Sequence, residues 1–258
     1  DVCSSDLNCN RIANAKFTIN GVEYQLEAND NENSLHSGSN GTSERFWNVI
    51  SCTDQMITLQ IEDADLQQGY PGNAVIQVTY EVTEDNGLAI TYHAKADKDT
   101  VFNFTNHAYI NLNGHASGSV LDQTLQIKAS HFTPVKDGKA IPTGELADVE
   151  GTPFDFRIAK PIGRDINAEN DQLKYGSGYD HNFALDHTGN GVEKVATAYA
   201  PESGIQMEVY TDCPGMQFYS ANFIRGQKGK GGCPWSSRAS VHWPSLPSST
   251  AGTTTSCS

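Results

Sequence analysis

The sequence is poor in basic residues, with 17 lysines and arginines against 31 aspartates and glutamates, and its formal net charge is −14. Nucleic acids and anionic membranes are polyanions, so this excess of negative charge argues against both as partners. No apolar run approaches the length of a transmembrane helix, and the opening residues lack the apolar stretch of a signal peptide. A neutral small molecule carries none of these penalties as a partner.

Cysteine motifs that bind zinc are also lacking. The six cysteines are Cys3, Cys9, Cys52, Cys213, Cys233 and Cys257. They include no Cys-x-x-Cys pair, so a zinc ribbon is unsupported. Four of them lie near the two ends of the chain and only two in the well-patterned body. Ordinary reduced cysteines are therefore preferred over a disulfide framework, and this favours a cytoplasmic location.

Helical periodicity is nearly absent, and residues 167–173 are the best candidate for a helix. The strongest local pattern is instead a hairpin, in which residues 16–19 and 22–26 flank Asn20 and Gly21. An Asn-Gly pair readily takes the two positive φ angles of a type I′ turn, and that turn matches the twist of paired strands. We therefore predict two antiparallel strands here.

Further strands follow along the chain. Residues 74–82 and 88–94 alternate apolar and polar side chains on either side of a turn-forming segment. Shorter strands are predicted at 121–127, 195–199 and 205–210. Strand after strand with tight turns predicts an antiparallel all-β fold, as a sandwich or a barrel. Because the 258 residues show no internal repeat and no clear linker, one domain is the better interpretation.

The two ends differ in kind from the body. Residues 233–258 are dominated by serine, threonine and proline without alternation, so we expect them to be disordered. No aspartate or glutamate occurs after Asp212, and residues 1–9 look equally foreign. A Ser/Thr-rich linker is one interpretation of the tail. We prefer the hypothesis that neither end is native sequence, which sequencing the source DNA over both junctions would test.

His107 stands out among the eight histidines because it follows Asn106 inside an aromatic segment, residues 102–112. Polar neighbours can hold an imidazole in one tautomer, as a catalytic histidine requires. The alternative is a core histidine that is satisfied by backbone carbonyls. The segment by itself leaves both interpretations open.

Three other segments carry groups suited to sugar hydroxyls. Asn10 and Arg11 offer an amide and a forked donor just before the first hairpin, and His36 lies in a loop of small residues. Asp180 lies among the polar residues 179–182, and its carboxylate can accept two vicinal hydroxyl hydrogens. Taken singly, each of these short motifs is more simply a polar loop.

Taken together, six segments resemble successive signatures of the aldose 1-epimerase (galactose mutarotase) family. They are NRIANAKFTING, NSLHSG, GYPGN, TNHAYINLNG, SGYDHNFAL and DCPGMQFYSANF. The resemblance spans residues 10–232 and implies one epimerase-like domain there, between an atypical segment at 1–9 and the tail at 233–258. It also implies the family's fold, a large antiparallel β-sandwich (the galactose mutarotase-like supersandwich) with the sugar in a broad cleft, here truncated at its carboxy-terminal end.

The resemblance also implies roles for single residues. His107 would be the general acid that protonates the ring oxygen of the sugar, and His36 would hydrogen-bond near that oxygen; these two are the predicted catalytic residues. Tyr109 would pack beside His107, and His181 and Asn182 would only support Asp180. The predicted substrate-binding residues are Asn10, Arg11, Tyr109, Asp180 and Gln217.

The implied reaction interconverts the α and β anomers of free hexoses such as galactose or glucose. A base takes the proton of the anomeric hydroxyl while an acid protonates the ring oxygen, the ring opens, and reclosure gives the other anomer. No metal, nucleotide or other cofactor is required. The family's base is a glutamate near the carboxy terminus; because no carboxylate follows Asp212, we expect the activity of this chain to be impaired.

Three other functions stay open. A non-catalytic carbohydrate-binding β-sandwich would need no base. A hexose-6-phosphate 1-epimerase would need clustered basic residues, for which Lys228 and Lys230 are candidates. A glycoside hydrolase would need two catalytic carboxylates, and no motif selects a pair. The expected partner is a small aldose, the oligomeric state leaves no trace, and a periplasmic or secreted location stays open because we expect the native amino terminus to be absent.

Overall fold

The computed structural model describes residues 8–224, 228–232, 237–242 and 245–246. The described residues divide into two compact units: unit 1 comprises those up to Asn106, and unit 2 comprises those from His107 on. The boundary between the units falls inside the segment 10–232, whose assignment to one domain stays a prediction. No helix in the described part of the chain is long and apolar enough to cross a membrane.

Unit 1 is built from antiparallel strands. They are β1 (Arg11–Ile12), β2 (Lys16–Ile19), β3 (Val22–Gln25), β4 (Ser34–Leu35), β5 (Asn48–Cys52), β6 (Met56–Asp63), β7 (Ala74–Val82) and β8 (Leu88–Ala96). Strands β5 to β8 form a four-stranded sheet in sequence order, β2 pairs with β3, and β1 pairs with β4. Short 3-10 helices lie at Ala13–Ala15, Thr42–Glu44 and Gln67–Gly69, and in unit 2 at Lys230–Gly232.

Both predicted hairpins of unit 1 are confirmed. In the first, Ile19 pairs with Val22, and Asn20 and Gly21 take φ angles of 51° and 78°. Two positive φ angles are the signature of the type I′ turn. In the second hairpin, β7 and β8 pair along their whole length down to the turn that joins them. The turn residues therefore set the register in both cases.

The core of unit 1 lies on one face of its four-stranded sheet. Ile61 on β6 and Ile76 on β7 are buried and pack with Leu26 and Tyr70. The ring of Phe17 stacks on that of Tyr70, with 5.6 Å between centroids. Each such burial contributes about 1.5–3 kcal/mol. The first hairpin is thereby packed against the core of the sheet, and β1 directly precedes this hairpin in the sequence.

Unit 2 contains the other strands and the α-helix of the described chain. They are β9 (Tyr109–Ile110), β10 (Thr124–Ile127), β11 (His131–Thr133), β12 (Ala147–Asp148), β13 (Lys160–Pro161), α1 (Asp171–Gly176), β14 (Asp180–Ala184), β15 (Glu193–Tyr199), β16 (Gln206–Thr211), β17 (Gly215–Tyr219), β18 (Val241–His242) and β19 (Ser245–Leu246). The smaller sheet has the order β13-β10-β15-β16. The larger has the order β12-β11-β14-β17-β18-β9, with β19 also paired to β17.

One hydrophobic core joins the two sheets of unit 2. Leu125 and Val195 reach it from the smaller sheet, and Phe183 and Phe218 reach it from the larger. Phe154, between β12 and β13, is fully buried in the same core. Two antiparallel sheets that share a core form a β-sandwich. The predicted all-β antiparallel fold is therefore confirmed.

Helix α1 begins later than the sequence predicts. The expected helix covered 167–173, whereas the structure has Asp171–Gly176. Asn170 decides the start, because its side-chain oxygen accepts hydrogen bonds from the backbone N–H groups of Gln172 (2.9 Å) and Leu173 (3.4 Å). An asparagine in this position satisfies first-turn donors that have no partner within the helix.

Part of the Ser/Thr/Pro-rich tail is folded into the larger sheet of unit 2. Strand β18 pairs with both β17 and β9, β19 pairs with β17, and Val241 is buried in the core. These residues are ordered, contrary to expectation, because the side chain of Val241 packs in the core. The sequence did not reveal the strand, because two residues are too few to show an alternation of apolar and polar side chains. The expectations for residues 1–7 and for the rest of the tail lie outside the described residues.

Candidate functional site

In unit 1, the predicted residues Asn10, Arg11 and His36 lie together at the β1–β4 pair, in which Arg11 is opposite Leu35. The backbone N–H of His36 donates to the Asn10 carbonyl (3.0 Å), and the N–H of Asn10 donates to Nδ1 of His36 (3.4 Å). A neutral imidazole that accepts at Nδ1 carries its proton on Nε2. In a neutral His36 ring this contact would place the proton on Nε2.

The backbone around these residues is held in an unusual conformation. Asn10, His36 and Ser37 have φ angles of 59°, 50° and 63°. Residues other than glycine rarely adopt such angles, and they persist where surrounding contacts enforce them, often at functional sites. Here Ser37 Oγ accepts a hydrogen bond from the N–H of Asn8 (2.8 Å). The loop that carries His36 is thus fixed in shape.

Arg11 is oriented by an acid that the sequence reasoning missed. Its Nε lies 2.7 Å from Oδ2 of Asp30, and both side chains are largely buried. The interaction holds one edge of the guanidinium group in place. Asp30 has no recognisable spacing from Arg11 in the sequence, because the two come together only through the loop that leads into β4.

In unit 2, Asp180 and Gln217 lie on the neighbouring central strands β14 and β17. The register pairs Asp180 with Tyr219 and Asn182 with Gln217, and Gln217 Nε2 donates to Asp180 Oδ1 (2.8 Å). The segment around Asp180, which taken singly suggested a polar loop, is therefore a strand. Its side chains alternate, so that His181 is buried in the core while Asp180 and Asn182 lie on the opposite face.

An aromatic group lies beside Asp180. The ring of Tyr109 is 5.2 Å from that of His107 and 6.3 Å from that of Tyr219, centroid to centroid. Burial, with smaller contributions from Tyr219 and the Asp180 carboxylate, raises the pKa of Tyr109 well above its usual range. Tyr109 is therefore a protonated phenol, able to donate a hydrogen bond. The expected packing of Tyr109 beside His107 is present in this arrangement.

Strand β18 explains how the aromatic group is held. It lies between β9, which carries Tyr109, and β17, which carries Gln217 and Tyr219. Unit 2 thus brings together His107, Tyr109, Asp180 and Gln217, whereas Asn10, Arg11 and His36 form the separate group in unit 1. Tyr219 was missed, although its place two residues after Gln217 on one strand puts both on the same face.

The arrangement in unit 2 combines one carboxylate, one amide, one phenol and one imidazole. Such groups can bind vicinal hydroxyls and exchange a proton with a bound polar molecule. In the part of the chain that the structure describes, no three His, Cys, Asp or Glu side chains are grouped to hold a metal ion.

Comparison with known proteins identifies the family. The family model for aldose 1-epimerase matches residues 8–244. The chain belongs to the aldose 1-epimerase family. An aldose 1-epimerase from Escherichia coli K12 is 40% identical over 226 residues, which are 88% of this chain and 64% of that protein. A galactose mutarotase from Sus scrofa is 40% identical over 229 residues, which are 86% of this chain and 63% of that protein.

Solved structures of the aldose 1-epimerase family agree with the fold. A GalM/aldose epimerase homologue from C. elegans superimposes with a TM-score of 0.84 at 28% identity, covering 94% of this chain and 72% of that one. Galactose 1-epimerase from Lactobacillus acidophilus gives a TM-score of 0.82 at 28% identity, covering 95% and 70%. The predicted galactose mutarotase-like β fold is thereby confirmed, while the chain spans less than two thirds of the length of the first two relatives.

Proposed function

We propose that this chain is an aldose 1-epimerase that interconverts the anomers of free hexoses such as galactose or glucose. The observation that carries the proposal is the group in unit 2, where Gln217 fixes the Asp180 carboxylate beside Tyr109 and His107. Membership of the family and the relatives' names support the same activity.

The roles follow from the chemistry of each group. Asp180 accepts hydrogen bonds from sugar hydroxyls, and Gln217 keeps its carboxylate from turning away. His107 is the general acid that protonates the ring oxygen, and Tyr109 supports its ring. His36 keeps its predicted role of hydrogen-bonding near the ring oxygen. Asn10 and Arg11 keep their predicted roles in binding hydroxyls.

The proposed reaction also needs a general base that takes the proton of the anomeric hydroxyl. A positioned proton-transfer group contributes about 10²- to 10⁴-fold, so we propose that the rate of turnover depends on a carboxylate in that role.

A non-catalytic carbohydrate-binding protein is the second candidate, and the hydrogen-bonded pair of Asp180 and Gln217 favours it, because these groups can bind sugar hydroxyls without any proton transfer. It shares the binding residues with the epimerase, so binding alone does not separate the two. Turnover does, because only the epimerase speeds the approach of a pure anomer to equilibrium.

Calorimetric titration tests the sugar and its binding residues together. We expect D-galactose or D-glucose to bind and the 6-phosphates to bind no better, and Gln217→Leu to weaken binding at least about tenfold because the carboxylate loses a charge-assisted hydrogen bond. Gln206→Leu, at an exposed glutamine on the edge strand β16, is the matched control. Absence of binding by a folded protein, or preference for the phosphates, would overturn the proposed substrate.

The cytoplasmic location is part of the proposal. Cys52 is an exposed free thiol. Free thiols of this kind persist in a reducing compartment.

A further inference from the structure

His181 is a fully buried polar residue that the proposed chemistry does not use. It follows Asp180 on β14, but its side chain lies on the core face of the strand with 1% of its surface exposed. The ring stands edge-on to Phe154 and Phe132, at 4.6 Å and 5.9 Å between centroids. A buried polar ring in aromatic surroundings is costly unless both of its nitrogens are hydrogen-bonded.

Both ring nitrogens of His181 have partners. Nδ1 accepts a hydrogen bond from the backbone N–H of Asp180 (3.2 Å), and Nε2 lies 3.2 Å from Oε1 of Gln172. A neutral ring that accepts at Nδ1 must carry its proton on Nε2, so Nε2–H donates to Gln172. Burial lowers the pKa of His181 to about 3, which keeps the ring neutral in this tautomer near neutral pH.

Gln172 is itself held at both ends of its amide. Oε1 accepts from the N–H of Val135 (2.7 Å), and its Nε2 donates to the Val135 carbonyl (2.9 Å). These two bonds fix which end of the amide faces His181. The backbone of Gln172 lies in the first turn of α1, two residues after the cap Asn170. A continuous chain of hydrogen bonds thus runs from Val135 through Gln172 and His181 to the backbone of Asp180.

The end of this chain matters because Asp180 is the carboxylate of the candidate site. Gln217 holds its side chain at 2.8 Å, and His181 holds its backbone from the other face of the sheet. Gly176, at the end of α1, packs at the same point, where an added Cβ would lie 3.4 Å from Asp180 Cβ and 3.5 Å from His181 Cε1. The Asp180 side chain and the Asp180 backbone are therefore each held by a hydrogen bond, one from either face of the sheet.

We propose that His181 is a positioning residue for sugar binding, which acts by accepting the Asp180 N–H and so fixes the direction of the Asp180 carboxylate. This inference rests on the proposed function, because it gives the His181 contact a role in holding Asp180 against a sugar. On this proposal, the hydrogen bonds that run from Val135 through Gln172 to His181 support the sugar site and do not serve the stability of the core alone. The ring itself neither touches the sugar nor exchanges protons with it.

Two substitutions separate the two bonds of the ring. His181→Asn keeps a side-chain oxygen near the place of Nδ1, so it can still accept the Asp180 N–H, but it loses the donor to Gln172. His181→Gln keeps an amide N–H near the place of Nε2, so it can still donate to Gln172, but it loses the acceptor for Asp180. Both remove aromatic contacts, so both are expected to lower stability in urea unfolding, and their difference isolates the Asp180 bond.

The readouts are galactose affinity by calorimetry and hydrogen exchange of the Asp180 amide without sugar. We expect His181→Gln to weaken galactose binding about three- to tenfold and to speed Asp180 exchange by a similar factor, the usual effect of one lost hydrogen bond, while His181→Asn stays near the parent in both. Equal binding and equal exchange in the two variants would overturn the inference. So would a nitrogen NMR spectrum of the parent that shows the His181 proton on Nδ1, a test that needs neither variant to fold.

The outcomes also separate this inference from the proposed function. If the parent binds no galactose while Asp180 exchange responds to His181→Gln alone, the proposed sugar is wrong and the positioning of Asp180 stands. If the parent binds galactose and both variants bind it as the parent does, the proposed function stands and the positioning role is wrong.

Discussion

Lowering the pH from 7 to 5 should destabilise unit 2 through His181. The imidazole has a pKa of 6.5 when exposed in the unfolded chain, and burial lowers its pKa to about 3 in the folded state. Between these two pKa values the unfolded state therefore binds a proton that the folded state does not bind. Stability from this residue is fully present above pH 6.5 and is lost as the pH falls from there toward 3.

The size of this loss of stability depends mainly on the pKa of His181 in the unfolded chain. At pH 5 the folded ring is still neutral while nearly all unfolded rings are charged, so the free energy of unfolding drops by about 2 kcal/mol between pH 7 and pH 5. This is roughly a 25-fold change in the unfolding equilibrium. Carboxylates contribute little in this window, because their pKa values in unfolded chains lie near 4.

The assay is urea unfolding at pH 7 and pH 5, followed by circular dichroism and by hydrogen exchange of the Phe183 amide, which lies on β14 in the core of unit 2. His181→Asn is the control, since asparagine does not titrate and the other histidines cancel in the difference between parent and variant. We expect the parent to lose about 2 kcal/mol more than the variant. Equal losses in both proteins would refute a neutral, buried His181.

Two further predictions concern the stability of unit 2. Asp165→Ala should lower the free energy of unfolding by about 3 kcal/mol, because it leaves the ammonium of Lys160, which is 1% exposed and lies 2.7 Å from Asp165, buried without its counter-ion. Lys160→Met should lower it by less than about 1 kcal/mol, since a methionine fills the space without a charge. Urea unfolding that ranks the two variants the other way would contradict this. Asn170→Ala should lower the free energy of unfolding by about 1 kcal/mol, because it removes the cap of α1. Asn167→Ala, at an exposed position outside the helix, should have little effect on stability. Equal losses of stability for the two variants in thermal unfolding would show that the cap is unimportant.

The hairpins could be predicted from the sequence because local rules determine them. Asn20 and Gly21 favour one turn, and that turn fixes the register of β2 and β3. The strands β14 and β17 escaped prediction as strands because they are central to a sheet and their partners lie far away in sequence. The polar residues of β14 suggest a loop when read alone, and only pairing with β17 turns their alternation into two faces.

The candidate site could be predicted only in part, and for a similar reason. The segment signatures identify His107, Asp180 and Gln217 without showing which atoms meet. The bond from Gln217 to Asp180 and the approach of Tyr109 to Tyr219 depend on strand register. In residues 237–242 of the tail, composition predicts disorder where β18 lies between β17 and β9.

Polarimetry on freshly dissolved α-D-galactose tests the proposed function most directly. The assay compares buffer, the parent chain and His107→Ala, with galactose binding and circular dichroism measured on both proteins to show that each is folded and occupied. We expect the parent to speed the relaxation in proportion to its concentration, and His107→Ala to bind galactose yet lose that acceleration by about 10²-fold or more. Relaxation at the buffer rate from a folded parent that binds galactose would contradict the epimerase proposal and leave a sugar-binding protein.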